Sequence, residues 1–223
     1  MLRVEDKYIL PPGDYLEMDR RLNAILPPDL NGSPEGYRIS SLYFDDLYDT
    51  NYYDTVSGNP IRRKFRIRIY NDSFDSIKLE VKTKQYSRIQ KEACFITPDE
   101  MNCLINGMPV AWGPTRNDPR TLFNEAILER GLRPKVVITY DRKAYIYPAG
   151  EVRITFDRAV RATDRVECFG NPETVYDFPP DENNVLEVKY NEFLPDFLAQ
   201  TLEVNSMWQI SYSKYRICRE IFM

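Results

Sequence analysis

The side chains with the most chemistry in them lie in IRRKFRIRIY at 61–70, where Arg62, Lys64, Arg66 and Arg68 alternate with Phe65, Ile67 and Ile69. A strand places residues i and i+2 on one face, so this spacing predicts a strand that is basic on one side and apolar on the other. IKLEVKTK at 77–84 repeats the pattern, with Lys78, Glu80, Lys82 and Lys84 opposite Ile77, Leu79 and Val81. Residues 151–157 set Glu151, Arg153, Thr155 and Asp157 against Val152, Ile154 and Phe156, and in 185–190 Glu187 and Lys189 oppose Leu186 and Val188. In 2–10, Arg3, Glu5 and Lys7 oppose Leu2 and Val4, with Asp6 breaking the alternation. Any one of these reads as an ordinary antiparallel strand with one face in water. Five of them read differently, because Arg and Lys stacked so closely repel one another, and sequestering them costs several kcal/mol per ion unless something compensates. A bound polyanion compensates: Arg and Lys grip phosphate oxygens, and Glu holds a divalent metal that bridges phosphates. If the sheet curls into a barrel with these faces inward, the lumen is a basic tunnel fitted to a linear polyphosphate or a nucleoside triphosphate.

Composition narrows the chemistry. There is no histidine, which excludes Ser-His-Asp and Cys-His catalysis, His-ligated zinc and a histidine general base. A metal would then be held by carboxylates, which selects a hard ion such as Mg²⁺ or Mn²⁺. Cys94, Cys103, Cys168 and Cys218 form no CxxC pair, so zinc-ribbon and thioredoxin motifs are absent and reduced, structural thiols are expected. The formal net charge of −4 and a pI near 5.1 argue against nucleic acid as the partner. MLRVEDKYIL is charged where a signal peptide is apolar, and no apolar run reaches the ~18–20 residues of a membrane span, which predicts a cytoplasmic protein.

The elements that must position these faces follow from periodicity and turn chemistry. A chain of 223 residues, 43% hydrophobic and 29% charged, is globular and long enough for one large domain. After the strand at 2–10, Pro11-Pro12-Gly13 gives way to a helix over about 13–25 with Leu16, Leu22, Ile25 and Leu26 as its stripe, ended by Pro27-Pro28, and Asn31-Gly32-Ser33-Pro34 is a loop. Strands are predicted at 37–44, 61–70, 77–84 and 88–96, with a polar, Tyr-rich connection over 45–59; the cluster of Tyr43, Tyr48, Tyr52 and Tyr53 packs, or one of its rings stacks on a base. Thr97-Pro98-Asp99-Glu100 is a capping box, Gly107 closes that helix, and Asp118-Pro119 opens another that ends at Gly131. Together they form a helical insertion of about 97–134. Strands resume at 135–147 and 151–160 around the turn Pro148-Ala149-Gly150, 161–184 is irregular, 185–190 is a last strand, and helices cover about 194–203 and 206–221. The pattern is α+β, a single domain over 1–223 built on an antiparallel closed β-barrel tunnel with surrounding and C-terminal helices.

On these residues the chain resembles the vacuolar transporter chaperone (VTC) catalytic domain, a polyphosphate polymerase of the triphosphate tunnel metalloenzyme superfamily. The motifs run in order: Glu5-Asp6-Lys7-Tyr8, SLYFDD at 41–46, Arg66-Ile67-Arg68, Glu80-Val81-Lys82, Tyr140-Asp141-Arg142, Val152-Arg153-Ile154-Thr155-Phe156-Asp157, Leu186-Glu187-Val188-Lys189 and Ser213-Lys214-Tyr215. The resemblance implies that Lys7, Arg66, Arg68, Lys82, Arg142, Arg153, Ser213 and Lys214 hold phosphates, with Tyr140, Lys64 and Lys189 also on the substrate. It implies that Glu187 ligates Mn²⁺ or Mg²⁺ with Glu5 or Glu80 assisting. Arg3 stands where the wider superfamily often has the first glutamate of ExExK, and Ser211 where the family can carry a lysine. The regulatory inositol-phosphate sensor domain and membrane segments of eukaryotic relatives are absent from the sequence, which resembles the bare module of bacterial relatives.

The implied activity is transfer of the γ-phosphoryl of ATP to a growing polyphosphate chain. Two other functions use the same face: hydrolysis of triphosphate or nucleotide, and non-catalytic polyphosphate binding. If the product is exported, a membrane-protein partner encoded separately is expected, holding the protein at the inner face of a membrane.

Overall fold

A computed structural model describes residues 3–27, 29, 33, 35–86, 88–179, 184–203, 208–209 and 211–223. Leu2, Pro28, and Asn31, Gly32 and Pro34 of the expected loop lie outside the described residues, as do 180–183 of the irregular stretch, 204–205 between the last two expected helices, and 206–207 and 210 of the last one. The strands are β1 (Arg3–Leu10), β2 (Tyr37–Asp45), β3 (Ile61–Tyr70), β4 (Ser73–Gln85), β5 (Arg88–Ile96), β6 (Arg133–Tyr147), β7 (Val152–Thr163), β8 (Asn184–Asn191) and β9 (Trp208–Gln209). The helices are α1 (Pro12–Ile25), α2 (Thr50–Val56), α3 (Pro98–Ile105), α4 (Pro119–Arg130), α5 (Asp196–Leu202) and α6 (Lys214–Glu220). The hydrogen-bonding order is β5-β4-β3-β2-β6-β7-β8-β1-β9. The α+β class is as expected, but an order with two ends makes the sheet open, where the sequence predicts a closed barrel. The terminal strand β9 offers too little backbone to close one, being two residues long and paired only with Tyr8 and Ile9 of β1.

The chain divides into two compact units. The first comprises Met1–Arg38, Tyr140–Val160 and Pro180–Ser213. Here β1 pairs antiparallel with β8, placing Lys7 opposite Glu187 and Glu5 opposite Lys189, and β8 pairs with β7, placing Arg153 opposite Lys189 and Thr155 opposite Glu187. The alternation therefore sends Val152, Ile154, Phe156, Leu186 and Val188 into a core with Tyr15, Met18, Leu22 and Leu26 around α1 and Leu198 and Leu202 of α5. The stripe of α1 is a correction to the sequence reading. Tyr15, Met18 and Leu22 face the core, while Leu16 is 64% exposed and Ile25 46% exposed. Asp19 on the same helix accepts from the Tyr145 hydroxyl and the Lys143 ammonium at 2.8 Å each, which ties α1 to β6. Gly36 is required where it stands: its φ is +100°, and a Cβ there would meet the Arg142 carbonyl oxygen at 2.3 Å.

The second unit comprises Ile39–Thr139, Arg161–Pro179 and Lys214–Met223. Its β2-β3-β4-β5 meander keeps the register implied by the charge pattern, with Arg66 opposite Glu80, Lys64 opposite Lys82 and Arg62 opposite Lys84. The other face, Phe65, Ile67, Leu79 and Val81, is closed by α3 and α4, and Phe123 meets the edges of Phe44 and Phe65 at 5.2 Å each. The helix starts and stops are as the sequence predicts. Thr97 and Glu100 complete the capping box of α3, Asp118 accepts from the Arg120 amide at the head of α4, and Gly131 takes the left-handed conformation at its end. Two elements differ. Residues 50–56, expected as connection, are the helix α2, and the C-terminal helix begins only at Lys214, with Trp208–Gln209 upstream pairing with β1 as β9.

Candidate functional site

In the first unit, register alone builds a lattice of alternating charge. Across one row run Lys7, Glu187 and Thr155, and across the next Glu5, Lys189 and Arg153. Lys7 Nζ lies 2.7 Å from Glu5 and 3.5 Å from Glu187, and Lys189 Nζ lies 2.9 Å from Glu187 and 3.8 Å from Glu5. Arg142 on β6 reaches Glu187 at 3.7 Å. Its guanidinium is fixed by a two-pronged pair to Asp157, at 2.6 and 2.7 Å, and lies 5.4 Å from the ring centre of Tyr140. Arg153 donates to Asp29 at 2.8 Å and to the Tyr37 hydroxyl at 3.2 Å. The buried Thr155 hydroxyl oxygen has no hydrogen-bond partner among the described residues.

The electrostatics are those of a paired lattice. Glu187 is only 6% exposed; burial opposes its charge, yet Lys7, Lys189 and Arg142 outweigh that and hold its carboxyl well below the usual range. Burial likewise opposes the Lys7 charge, and Glu187 and Glu5 more than restore it, so its ammonium titrates above its ordinary value. Arg142 stays cationic against burial because Asp157 is bound to it.

In the second unit the centre is Glu80, 2% exposed on β4. Arg66 grips one oxygen through Nε at 2.6 Å and Nη2 at 2.5 Å, and Arg68 lies 3.8 Å from the same oxygen. Lys91 of β5 holds the other oxygen at 2.6 Å. Burial opposes the Glu80 charge, but these three cations drive its pKa far below the ordinary carboxylate value. Arg66 also donates to the Tyr43 hydroxyl at 2.8 Å and Arg68 to the Ser41 hydroxyl at 3.2 Å, so SLYFDD positions the two arginines from the neighbouring strand. Lys82 stands between Lys64 and Lys91 across the strands. Ser213 precedes α6 and Lys214 is its first residue, both half-buried.

The structure thus gathers Lys7, Glu5, Glu187, Lys189, Arg142 and Tyr140 in the first unit, with Arg153 in the adjacent row. It gathers Arg66, Arg68, Glu80, Lys82 and Lys64 in the second. Three functional neighbours escape the sequence reading. Lys91 stands alone among Ile89, Ala93 and Phe95 on its face, and only register, which sets it opposite Lys82, brings its ammonium to Glu80. Asp45, at the start of the predicted connection, is a buried anchor: its carboxylate accepts from the amides of Asp46, Asn51 and Tyr52 and, at 2.6 Å, from the Tyr215 hydroxyl of α6. Tyr215 in turn stacks on Tyr43 at 5.1 Å. Asp29, which holds Arg153, sits in a segment with no pattern around it. Of the tyrosine cluster, Tyr43 and Tyr52 are buried while Tyr48 and Tyr53 are exposed.

Among the described residues no three or more acidic or thiol side chains gather into a cation cage. Glu80 is enclosed by cations. Glu5 and Glu187, which share Lys7 and Lys189, supply the donor set that suits Mn²⁺ or Mg²⁺, ions bound through one or two carboxylates with substrate phosphates completing the shell. No helix among the described residues is long and apolar enough to cross a membrane.

With this geometry in hand, comparison with known proteins is informative. No curated protein matches the chain. Among solved structures it is similar to a putative adenylate cyclase from Bacillus halodurans, with 10% identity over 85% of this chain and 82% of that one and a TM-score of 0.51. It is also similar to a protein of Pyrococcus horikoshii OT3, with 14% identity over 94% of this chain and 95% of that one and a TM-score of 0.51. At these identities the likeness is one of fold. The model of the VTC domain matches residues 2–223. The chain therefore belongs to the VTC domain family, which supports a function related to polyphosphate or triphosphate.

Proposed function

We propose that this chain is a metal-dependent polyphosphate polymerase that takes the γ-phosphoryl of ATP. The observation that carries the reading is Glu187, an almost fully buried carboxylate ringed by Lys7, Lys189 and Arg142 with Glu5 alongside. Buried charges in such density are matched to a ligand that is both polyanionic and metal-binding. Glu187 and Glu5 would hold Mn²⁺ or Mg²⁺, which would supply positive charge to offset that of the phosphates.

The chain's own side chains bind and orient. In the first unit Lys7, Arg142 and Arg153 neutralise phosphate oxygens, with Arg142 pre-set by Asp157, and Tyr140 and Lys189 complete the substrate contacts. In the second unit Arg66, Arg68 and Lys82 do the same, with Lys64 beside them and Lys214 adding a contact; Ser213, in the first unit, adds another. The reaction forms a bond from a terminal oxygen of the chain to the γ-phosphorus and breaks the bond from that phosphorus to the bridging oxygen, releasing ADP. The attacking oxygen is already anionic near neutral pH, so positioned cations suffice and no histidine base is needed.

The test is to incubate the purified protein with ATP and Mn²⁺ and resolve the product on a gel stained for polyphosphate. We expect a ladder that vanishes in Glu187→Gln while the substrate-free melting temperature stays within a few degrees. Free phosphate without a ladder makes the protein a hydrolase. Neither product, with tight triphosphate binding, makes it a binding subunit. A collapsed melting temperature assigns Glu187 to structure.

A further inference from the structure

The polar face of β3 and β4 does not stop at the residues assigned to phosphate above. Two residues beyond Lys64 and Lys82 toward the strand ends, Arg62 and Lys84 stand directly opposite one another, both half-buried, with Ile89 of β5 beside Lys84 in register. Like charges in direct cross-strand register destabilise a sheet. Arg62 donates only to the Asn59 carbonyl at 2.8 Å, and neither Arg62 nor Lys84 has a carboxylate partner among the described residues. This contrasts with the row at Glu80, where the sheet supplies its own counter-charge. The outermost row, Arg62–Lys84, thus sets two cations against each other with no carboxylate in register beside them.

Distance adds to this. Successive same-face residues are about 6.8 Å apart along a strand, so the four rows from Arg68–Lys78 to Arg62–Lys84 cover about 20 Å. The three phosphates of a nucleotide held at Arg66 and Arg68 leave Arg62 and Lys84 uncompensated, whereas an extended chain of phosphates follows the face out to them.

We infer that Arg62 and Lys84 form an outer subsite that selects long phosphate chains over triphosphate. This rests on the polyphosphate reading and extends it to chain-length specificity. Phosphates past the first few lie between the two side chains, each accepting charge-assisted hydrogen bonds from the guanidinium and the ammonium, and relieve the repulsion between them.

The experiment compares binding of inorganic tripolyphosphate and of a long inorganic polyphosphate of defined length to the wild-type protein and to Arg62→Gln/Lys84→Gln, by calorimetry and without nucleotide or metal. The expected result is that the preference for the long chain falls about tenfold in the double variant, while tripolyphosphate affinity changes less than about twofold. The salt dependence of long-chain binding should become shallower by about two ions, and that of tripolyphosphate should not change. Equal weakening of both ligands, or no change in either, overturns the inference. A wild-type protein that binds neither ligand overturns the polyphosphate reading itself. The single variants Arg62→Lys, which keeps the charge, and Lys84→Gln guard against a folding defect: only the second should lower the preference, and if both lower it equally the charge argument fails.

Discussion

Lys91 is the residue whose titration reports most directly on what the second unit binds. Its side chain is 45% exposed, but lost hydration around the ammonium pushes it down to about 8; Glu80 resists, while Arg66 and Arg68 push the same way as the lost hydration. Its folded value is thus below the ordinary lysine value, so the unfolded chain holds more protons between about pH 8 and 10.5, and this group favours folding increasingly as pH rises through that window. A polyanion arriving at Arg66 and Arg68 reverses the balance around Lys91 and raises its pKa. Tripolyphosphate binding near pH 8 is therefore expected to take up protons, seen by calorimetry in buffers of different ionisation heat, and Lys91→Met should abolish the uptake. Binding without uptake in the wild-type protein would place the anion away from Lys91. The same residue shows where sequence reading loses sight of a site. The alternation of β3 and β4 was legible because four polar positions recur in each, whereas in β5 Lys91 shares its face with Ile89, Ala93 and Phe95 and only the cross-strand register reveals its company.

At the scale of elements, α2 and α6 share one buried carboxylate. Asp45 ends β2, yet its two oxygens satisfy the amides of Asn51 and Tyr52 at the head of α2, six and seven residues on, and receive the hydroxyl of Tyr215 from α6. A helix whose exposed amides are met from outside its own first turn carries no local start signal. Asp49, at the cap position, has φ of 53° and makes no capping hydrogen bond, and this is why the stretch reads as connection. The α3 and α4 boundaries were legible for the converse reason, since Thr97, Glu100, Asp118 and Gly131 cap locally. In α1 the apolar set was ambiguous: two stripes fit the spacing, and packing against Phe156, whose ring meets Tyr15 edge-on at 5.1 Å, decides for Tyr15 and Met18 over Leu16. Tyr215→Phe keeps the stack on Tyr43 and removes only the hydroxyl, leaving Asp45 one donor short. The expected cost is about 1–2 kcal/mol, or about 2–8 °C in Tm for a chain of this size. Faster amide hydrogen exchange should be confined to α2 and α6. Uniformly faster exchange would show that Asp45 supports the whole second unit rather than these two helices.

For the whole molecule the relevant contrast is between a net charge of −4 and the polar face of β3 and β4, where cations outnumber carboxylates. Acidic residues elsewhere conceal that excess from any overall count, so composition alone argued against an anionic partner while alternation argued for one. The consequence is a protein whose ligand-free stability carries a repulsive component that anions relieve. Tripolyphosphate at about a hundred times its Kd stabilises the fold by about 2.7 kcal/mol, a rise of about 5–11 °C in Tm. Inert salt screens the same repulsion without occupying a site, so it should raise the ligand-free Tm modestly and shrink the increment from tripolyphosphate. Adding Mn²⁺ with tripolyphosphate should lift the wild-type Tm further and leave Glu187→Gln at its metal-free value, because Glu187 and Glu5 supply the carboxylates the ion requires. If salt lowers the ligand-free Tm instead, the ion pairs at Glu187 and Glu80 outweigh the unmatched cations. The charged faces would then be self-sufficient, and the argument from uncompensated charge to a polyanionic ligand would lose its basis.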